Sequence, residues 1–344
     1  MLGHMLQLQK PASTGRWLRS PVHDVAMAFL WLPFAAASHV VADDPDLLRW
    51  LVSATLLFSF AHQPLTLWLV YGDASQRHAR QRLVLWAPIV ALLAVSVGMS
   101  VRPDLVALVA GVWNVAHTLR QRYGVSRLYG RLAGIDCPGD NRLLWSWLVL
   151  AVVVALTGTN LSRAAQQAGI GRRNTTAIDV LASADALGAV LLLSALIVAT
   201  GATTTWVRVE LRRPSHSPWR FLYLTSTALL FVVLAVEPVA GFIGYVGAHA
   251  AEYLLVVRWR IGRAGEHATP GDRVGDLVRR IGAGGSIALY AVAVVVLIAV
   301  LRNLNASQLV GATTLTLGAL QLLFDSVIWR SPSPAPLPSG SGRA

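Results

Sequence analysis

The sequence predicts an all-α protein: a polytopic transmembrane helix bundle of about ten spans, with the N- and C-termini both cytoplasmic. Three observations predict it. Of the 344 residues, 55% are hydrophobic and 13% charged, whereas about a quarter of a soluble domain is charged. Apolar runs with little internal charge recur along the chain, each near the ~20 residues a helix needs to cross hydrocarbon. The arginines gather in alternate loops between these runs, as basic residues do in loops that stay cytoplasmic.

Residues 1–21 are polar and basic (Lys10, Arg16, Arg19) and read as a cytoplasmic N-terminus. The first apolar run, 22–42, is too long for the core of a signal peptide, and no cleavage site follows it; it reads as a retained span, with Pro33 placed to kink it. Further spans are expected at 47–71, 82–101, 104–128, 142–160, 181–201, 219–236, 238–262, 284–302 and 307–329. Asp43, Asp44 and Asp46 precede the second span, where acidic residues cap a helix and favour its N-terminal dipole. The 264–283 stretch is the longest cytoplasmic loop, with room for a short amphipathic helix. The transmembrane domain thus covers 22–330, and the Pro/Ser/Gly tail 331–344 cannot pack and is expected to be disordered.

The charges fix the orientation. Arg77, Arg80 and Arg82 share one side with Arg120, Arg122, Arg127 and Arg131, with Arg208, Arg212, Arg213 and Arg220, and with the arginines between 258 and 280. The opposite loops hold the aspartates at 43–46, Arg102, Glu237 and Arg302, and the 159–180 loop with Arg163, Arg172 and Arg173 is a partial exception. The net charge of +12 therefore follows from the positive-inside rule and an attraction to anionic lipids, and no nucleic-acid partner is expected. A bacterial inner membrane is the expected location, with membrane lipids as partners. Cys137 is the only cysteine, which rules out a disulfide within the chain and cysteine-built zinc or iron–sulfur sites.

Ionisable side chains inside a span are costly and mark candidate sites. His62, His117 and His249 fall at similar depth in spans 2, 4 and 8, in the middle of the membrane and biased toward the cytoplasm. Each has polar company at helical spacing: Trp113, His117 and Gln121 recur every four residues, Glu252 follows His249 by one turn with Tyr245 and Tyr253 alongside, and Gln321, Asp325 and Trp329 form a similar stripe. Pro64 would loosen the helix beside His62. His39 lies nearer the outer boundary and is a candidate ligand only. Facing imidazoles and carboxylates are how helix bundles build metal sites. The expected assignment has His62, His117, His249 and His39 as metal ligands, Glu252 and Asp325 as catalytic groups, and Gln121, Tyr123 and Gln321 around the cofactor. Iron suits imidazole ligands, as do copper and zinc.

The run Trp113-Asn-Val-Ala-His117-Thr-Leu-Arg120-Gln121-Arg122-Tyr123-Gly124 resembles the H-x-x-R-Q-x-Y-G motif of a family of uncharacterised bacterial polytopic membrane proteins. That family also has a later H-x-x-Q-Y, which His249-Ala-Ala-Glu252-Tyr253 resembles with Glu in place of Gln. Its terminal H-x-x-x-D-x-x-I-W is similar to the run from Gln321 through Asp325 to Trp329, where Gln321 stands at the histidine's place. A weaker similarity, His117-Thr-Leu-Arg120-Gln121 to H-S-L-R-H, runs to the Brp/Blh-type carotenoid-cleaving dioxygenases, and implies a single iron held by histidines. The paired H-x-x-H-H clusters of di-iron desaturases do not occur.

Four functions remain open on the sequence. The first is a non-haem metal oxygenase or related oxidoreductase on a lipid or isoprenoid substrate. The second is a transporter or proton-coupled carrier using the same polar layer, although no inverted repeat is visible. The third is a polyprenyl-linked glycosyltransferase using the 43–46 aspartates, and the fourth a non-catalytic membrane subunit. The oligomeric state is not legible.

Overall fold

A computed structural model describes residues 17–158, 183, 188–266, 272–303 and 307–328, and among them it is entirely helical. The expected basic N-terminus (to residue 16), the whole 159–180 loop, Trp329 and the 331–344 tail lie outside the described residues.

The helices are α1 (Pro21–Ala28), α2 (Trp31–Val40), α3 (Pro45–Gly72), α4 (Ala74–Ala79), α5 (Gln81–Val101), α6 (Pro103–Leu132), α7 (Gly139–Gly158), α8 (Gly188–Leu211), α9 (Pro218–Val236), α10 (Pro238–Glu266), α11 (Arg273–Asn303) and α12 (Ser307–Ile328). Five of their starts follow one local rule. Pro21, Pro45, Pro103, Pro218 and Pro238 each open a helix, where proline's missing N–H costs nothing. Ser20, Asp44 and Ser217 cap three of these by accepting backbone N–H groups of the first turn.

Two breaks have equally local causes. The first apolar run is two helices, α1 and α2, because Pro33 has no N–H to give the Phe29 carbonyl one turn back; Leu32 N–H takes that carbonyl at 3.0 Å. Gly282 (φ 74°) interrupts α11, a left-handed conformation that glycine adopts without strain. The short helical stretch before it turns Val274 and Val278 into the core beneath α3 and α10, as the amphipathic helix expected in the 264–283 loop should.

Six helices (α5, α7, α8, α9, α10 and α11) are long and apolar enough to cross a membrane, so the chain is a multi-pass helical membrane protein. They differ in what surrounds them. In α10, 67% of the apolar stretch is buried, against 6% in α5 and 11% in each of α8 and α11. Helix α10 is therefore the axis, packed by α2, α3, α6, α9 and α11, while α5, α8 and α11 turn leucine, valine and isoleucine outward. One close approach to the axis depends on glycine: a Cβ on Gly247 would come within 2.4 Å of the Phe34 ring on α2. Helices α3 and α6 carry His62 and His117 among their apolar residues, and α12, whose apolar stretch Val310–Asp325 is shorter, carries Gln321 and Asp325. They lie against α10 or against one another, so their polar faces are covered by protein.

Candidate functional site

The fold brings three of the four candidate histidines together. The His249 ring on α10 lies between the other two, its centre 4.7 Å from that of His62 (α3) and 5.2 Å from that of His117 (α6), both nearly perpendicular to it. His62 and His249 are fully enclosed, and His117 keeps 13% of its side chain exposed. Neither ring nitrogen of His62 or His249 has a hydrogen-bond partner, nor does Nε2 of His117. The Ser59 carbonyl, one turn back on α3, lies by the His62 ring without hydrogen-bond geometry. Helix α3 runs through Pro64 unbroken, and the Tyr290 hydroxyl donates to the Ala61 carbonyl at 2.5 Å beside it.

Two carboxylates flank the imidazoles. Asp325 on α12 lies beside His117, Oδ2 to Nε2 3.6 Å. Its Oδ1 accepts from the Tyr253 hydroxyl at 3.1 Å and from Thr66 at 3.2 Å, and its Oδ2 from Gln321 Nε2 at 3.4 Å. Tyr253 in turn places its ring centre 5.0 Å from that of His62. Glu252, one turn after His249, faces α6 and α9: its Oε2 accepts from Gln121 Nε2 at 3.3 Å and from the Tyr223 hydroxyl at 3.1 Å. Gln121 also donates to the His249 carbonyl at 3.1 Å, which ties the two helices together at the level of the imidazoles.

Two assignments from the sequence are corrected. His39 is not near the other histidines: its side chain is 73% exposed and its Nδ1 lies 3.2 Å from Glu237 Oε2, at the far end of α2. His39 sits in the last turn of α2, beside the residue that precedes α10. Tyr123 is likewise outside the layer; its ring packs beneath the Arg127 guanidinium at 5.6 Å, since it is two residues on from Gln121 and so on another face of α6.

The sequence reading also missed a residue. Arg122, placed among the solvated cytoplasmic arginines, is fully buried. Its Nη2 lies 3.4 Å from Glu252 Oε1, its Nη1 donates to Thr227 at 3.1 Å, and its guanidinium sits over the Tyr223 and Tyr245 rings. A signal existed: Thr118, Arg122, Val125, Ser126 and Tyr129 are spaced as one helical face.

A second buried polar cluster stands apart from this layer, where the ends of α7, α8 and α9 meet. Arg220 donates from Nε to Asp140 Oδ2 at 2.7 Å and through Nη1 and Nη2 to Glu210 at 2.8 and 2.9 Å. Trp206 Nε1 completes Asp140 at 2.8 Å, and Ser126 also bonds it. Cys137 lies under this cluster against Gly130, and burial pushes its thiol up to about 11.

The donor set of the histidine layer, imidazoles with an adjacent carboxylate, suits iron, copper or zinc. Among the described residues, no group of three or more His, Cys, Asp or Glu side chains already has the geometry to hold a metal ion. With both neighbours edge-on to His249, ligation requires the imidazoles to turn about their side-chain torsions. No family model matches the chain, and no curated protein or solved structure does either.

Proposed function

We propose that this chain is a membrane non-haem metal oxygenase, or a related oxidoreductase, acting on a lipid or isoprenoid substrate. Its setting would be a bacterial inner membrane, crossed ten times with both termini cytoplasmic. One observation carries the reading: His62, His117 and His249 meet edge-to-face in the bundle interior, and both ring nitrogens of His62 and His249 and Nε2 of His117 have no hydrogen-bond partner. Each buried polar group left without a partner costs about 1–3 kcal/mol, and such groups in a native fold call for an ion, a water or a catalytic role.

In this reading His62, His117 and His249 hold the metal, which when bound supplies the redox chemistry that activates dioxygen. Asp325 orients His117, and its own position is set by Tyr253 and Thr66. Glu252 is placed to move a proton, with Gln121 and Tyr223 holding its carboxylate. An apolar substrate reaches the layer from the bilayer along α6, where Trp113, 57% exposed, stands one turn from His117.

The test is dioxygen consumption by detergent-purified, iron-loaded protein given isoprenoid alcohols and carotenoids. Substrate-dependent oxygen uptake that is lost in His249→Ala supports the reading. Absence of uptake, together with proton-coupled accumulation of a solute in proteoliposomes, would replace it with the carrier function.

A further inference from the structure

We propose that Tyr253 is a redox-active tyrosine, a one-electron store beside the imidazole layer that passes its hydroxyl proton to Asp325 when it is oxidised. The role goes beyond the reading above and rests on that layer being a metal centre.

Among the described residues, two tyrosine hydroxyls donate to carboxylates: Tyr223 to Glu252 and Tyr253 to Asp325, each at 3.1 Å. Those of Tyr71, Tyr245 and Tyr290 donate to backbone carbonyls, which do not take up a proton as a carboxylate does. Tyr223 and Tyr253 differ in what meets the ring. Tyr223 lies under the Arg122 guanidinium at 5.8 Å, a fixed positive charge that opposes removal of an electron. Tyr253 faces the His62 imidazole, ring centre to ring centre 5.0 Å, and Asp325 stands 3.6 Å from His117 Nε2. Phenol and carboxylate therefore lie beside two different imidazoles of the same layer.

Tyr253, Asp325 and Thr66 are all buried, and Thr66 is hydrogen-bonded to both of the others, which holds the pair in register. Enclosure fixes how the ring can be oxidised. Loss of an electron alone would leave a positive charge on the phenol in an apolar interior, at high cost. Loss of the electron together with the hydroxyl proton, which moves along the existing hydrogen bond to Asp325 Oδ1, leaves a neutral phenoxyl radical beside a neutral carboxylic acid. The electron goes to the metal ion in its dioxygen-oxidised state, and the reverse transfer restores phenol and carboxylate. The proton moves no farther than one hydrogen bond, so the step needs no space beyond that of the side chains. It also meets a need of the site. A single metal ion that changes its charge by one gives dioxygen one electron, whereas cleaving the O–O bond takes more than one, and Tyr253 supplies the next.

The experiment uses metal-free, detergent-purified full-length protein, oxidised by photogenerated tris-bipyridyl ruthenium(III), frozen, and read by electron paramagnetic resonance. A radical signal near the free-electron position is expected. It should narrow in protein grown on ring-deuterated tyrosine, which assigns it to a tyrosine without any substitution. Tyr253→Phe should remove the signal, and Tyr223→Phe should leave it. In Asp325→Asn, whose carboxamide accepts the bond but takes no proton, the yield should fall about tenfold, the worth of one hydrogen bond to a charged group. Metal is absent throughout, so a chain that binds no metal yet forms this radical fails as an oxygenase while Tyr253 keeps its redox role. No tyrosine radical, a signal that survives Tyr253→Phe, or an unchanged yield in Asp325→Asn would each overturn the proposal.

Discussion

The guanidinium of Arg220 and the imidazole of His249 are buried alike, yet the first bonds two carboxylates and the second bonds nothing through either ring nitrogen. Around Arg220, charge is enclosed with its counter-charge: Asp140 and Glu210 accept its hydrogen bonds, and Trp206 and Ser126 finish Asp140. Around His249, polar rings face one another across 4.7 and 5.2 Å with no exchange of protons. The first arrangement locks the ends of α7, α8 and α9. The second holds donor atoms in reserve at the axis of the bundle. A fold retains unsatisfied groups at such a cost where something other than the chain completes them.

The largest effect is expected from breaking the saturated cluster. Arg220→Met leaves Asp140 and Glu210 enclosed without a counter-charge and should destabilise the protein by about 3–5 kcal/mol, read as a lowered midpoint of unfolding in detergent. Histidine replacement should do the opposite of what its burial implies. His249→Leu removes two orphaned nitrogens and keeps an apolar volume, so its stability should stay within about 1 kcal/mol of the wild type. A collapse of His249→Leu as severe as that of Arg220→Met would erase the distinction between the two clusters.

Asp325→Asn sharpens the comparison from the histidine side. Asparagine can still accept from Tyr253 and Thr66, so the fold should hold, while the charge beside His117 is lost. Metal affinity should fall roughly ten- to a hundredfold, measured by competition with a chelator. The smallest effect concerns Cys137. With its thiol pushed up to about 11 by burial, it is protonated at ordinary pH, and maleimide labelling should be slow at pH 8 and rise only as pH approaches 11. Labelling at pH 8 should slow further in Arg220→Met, because the guanidinium that favours the thiolate is lost while Asp140 and Glu210 remain.

Much of this was legible in the sequence wherever a residue's role depends on its own helix. Pro33 marked the break in the first apolar run, and the spacing of His62, His117 and His249 placed them at one depth. Glu252, Gln121 and Asp325 followed from i, i+3 and i, i+4 spacing. What was not legible depends on which face a neighbour covers. Arg122 and Gln121 are adjacent, yet α9 and α10 together enclose Arg122 and its charge is hidden from any loop-counting rule. Arg220 was taken for a cytoplasmic loop charge because the carboxylates that bury it are 80 and 10 residues away. His39 shows the converse: it lies in an apolar run, but the end of a short helix carries it to the surface.

The measurement that tests the central claim most directly is metal content of the detergent-purified protein after anaerobic reconstitution, beside the His117→Ala/His249→Ala variant. One equivalent of iron, copper or zinc per chain, absent from a variant that remains folded, is the predicted result. A wild type that retains no metal, or a variant that retains as much as the wild type, would contradict it.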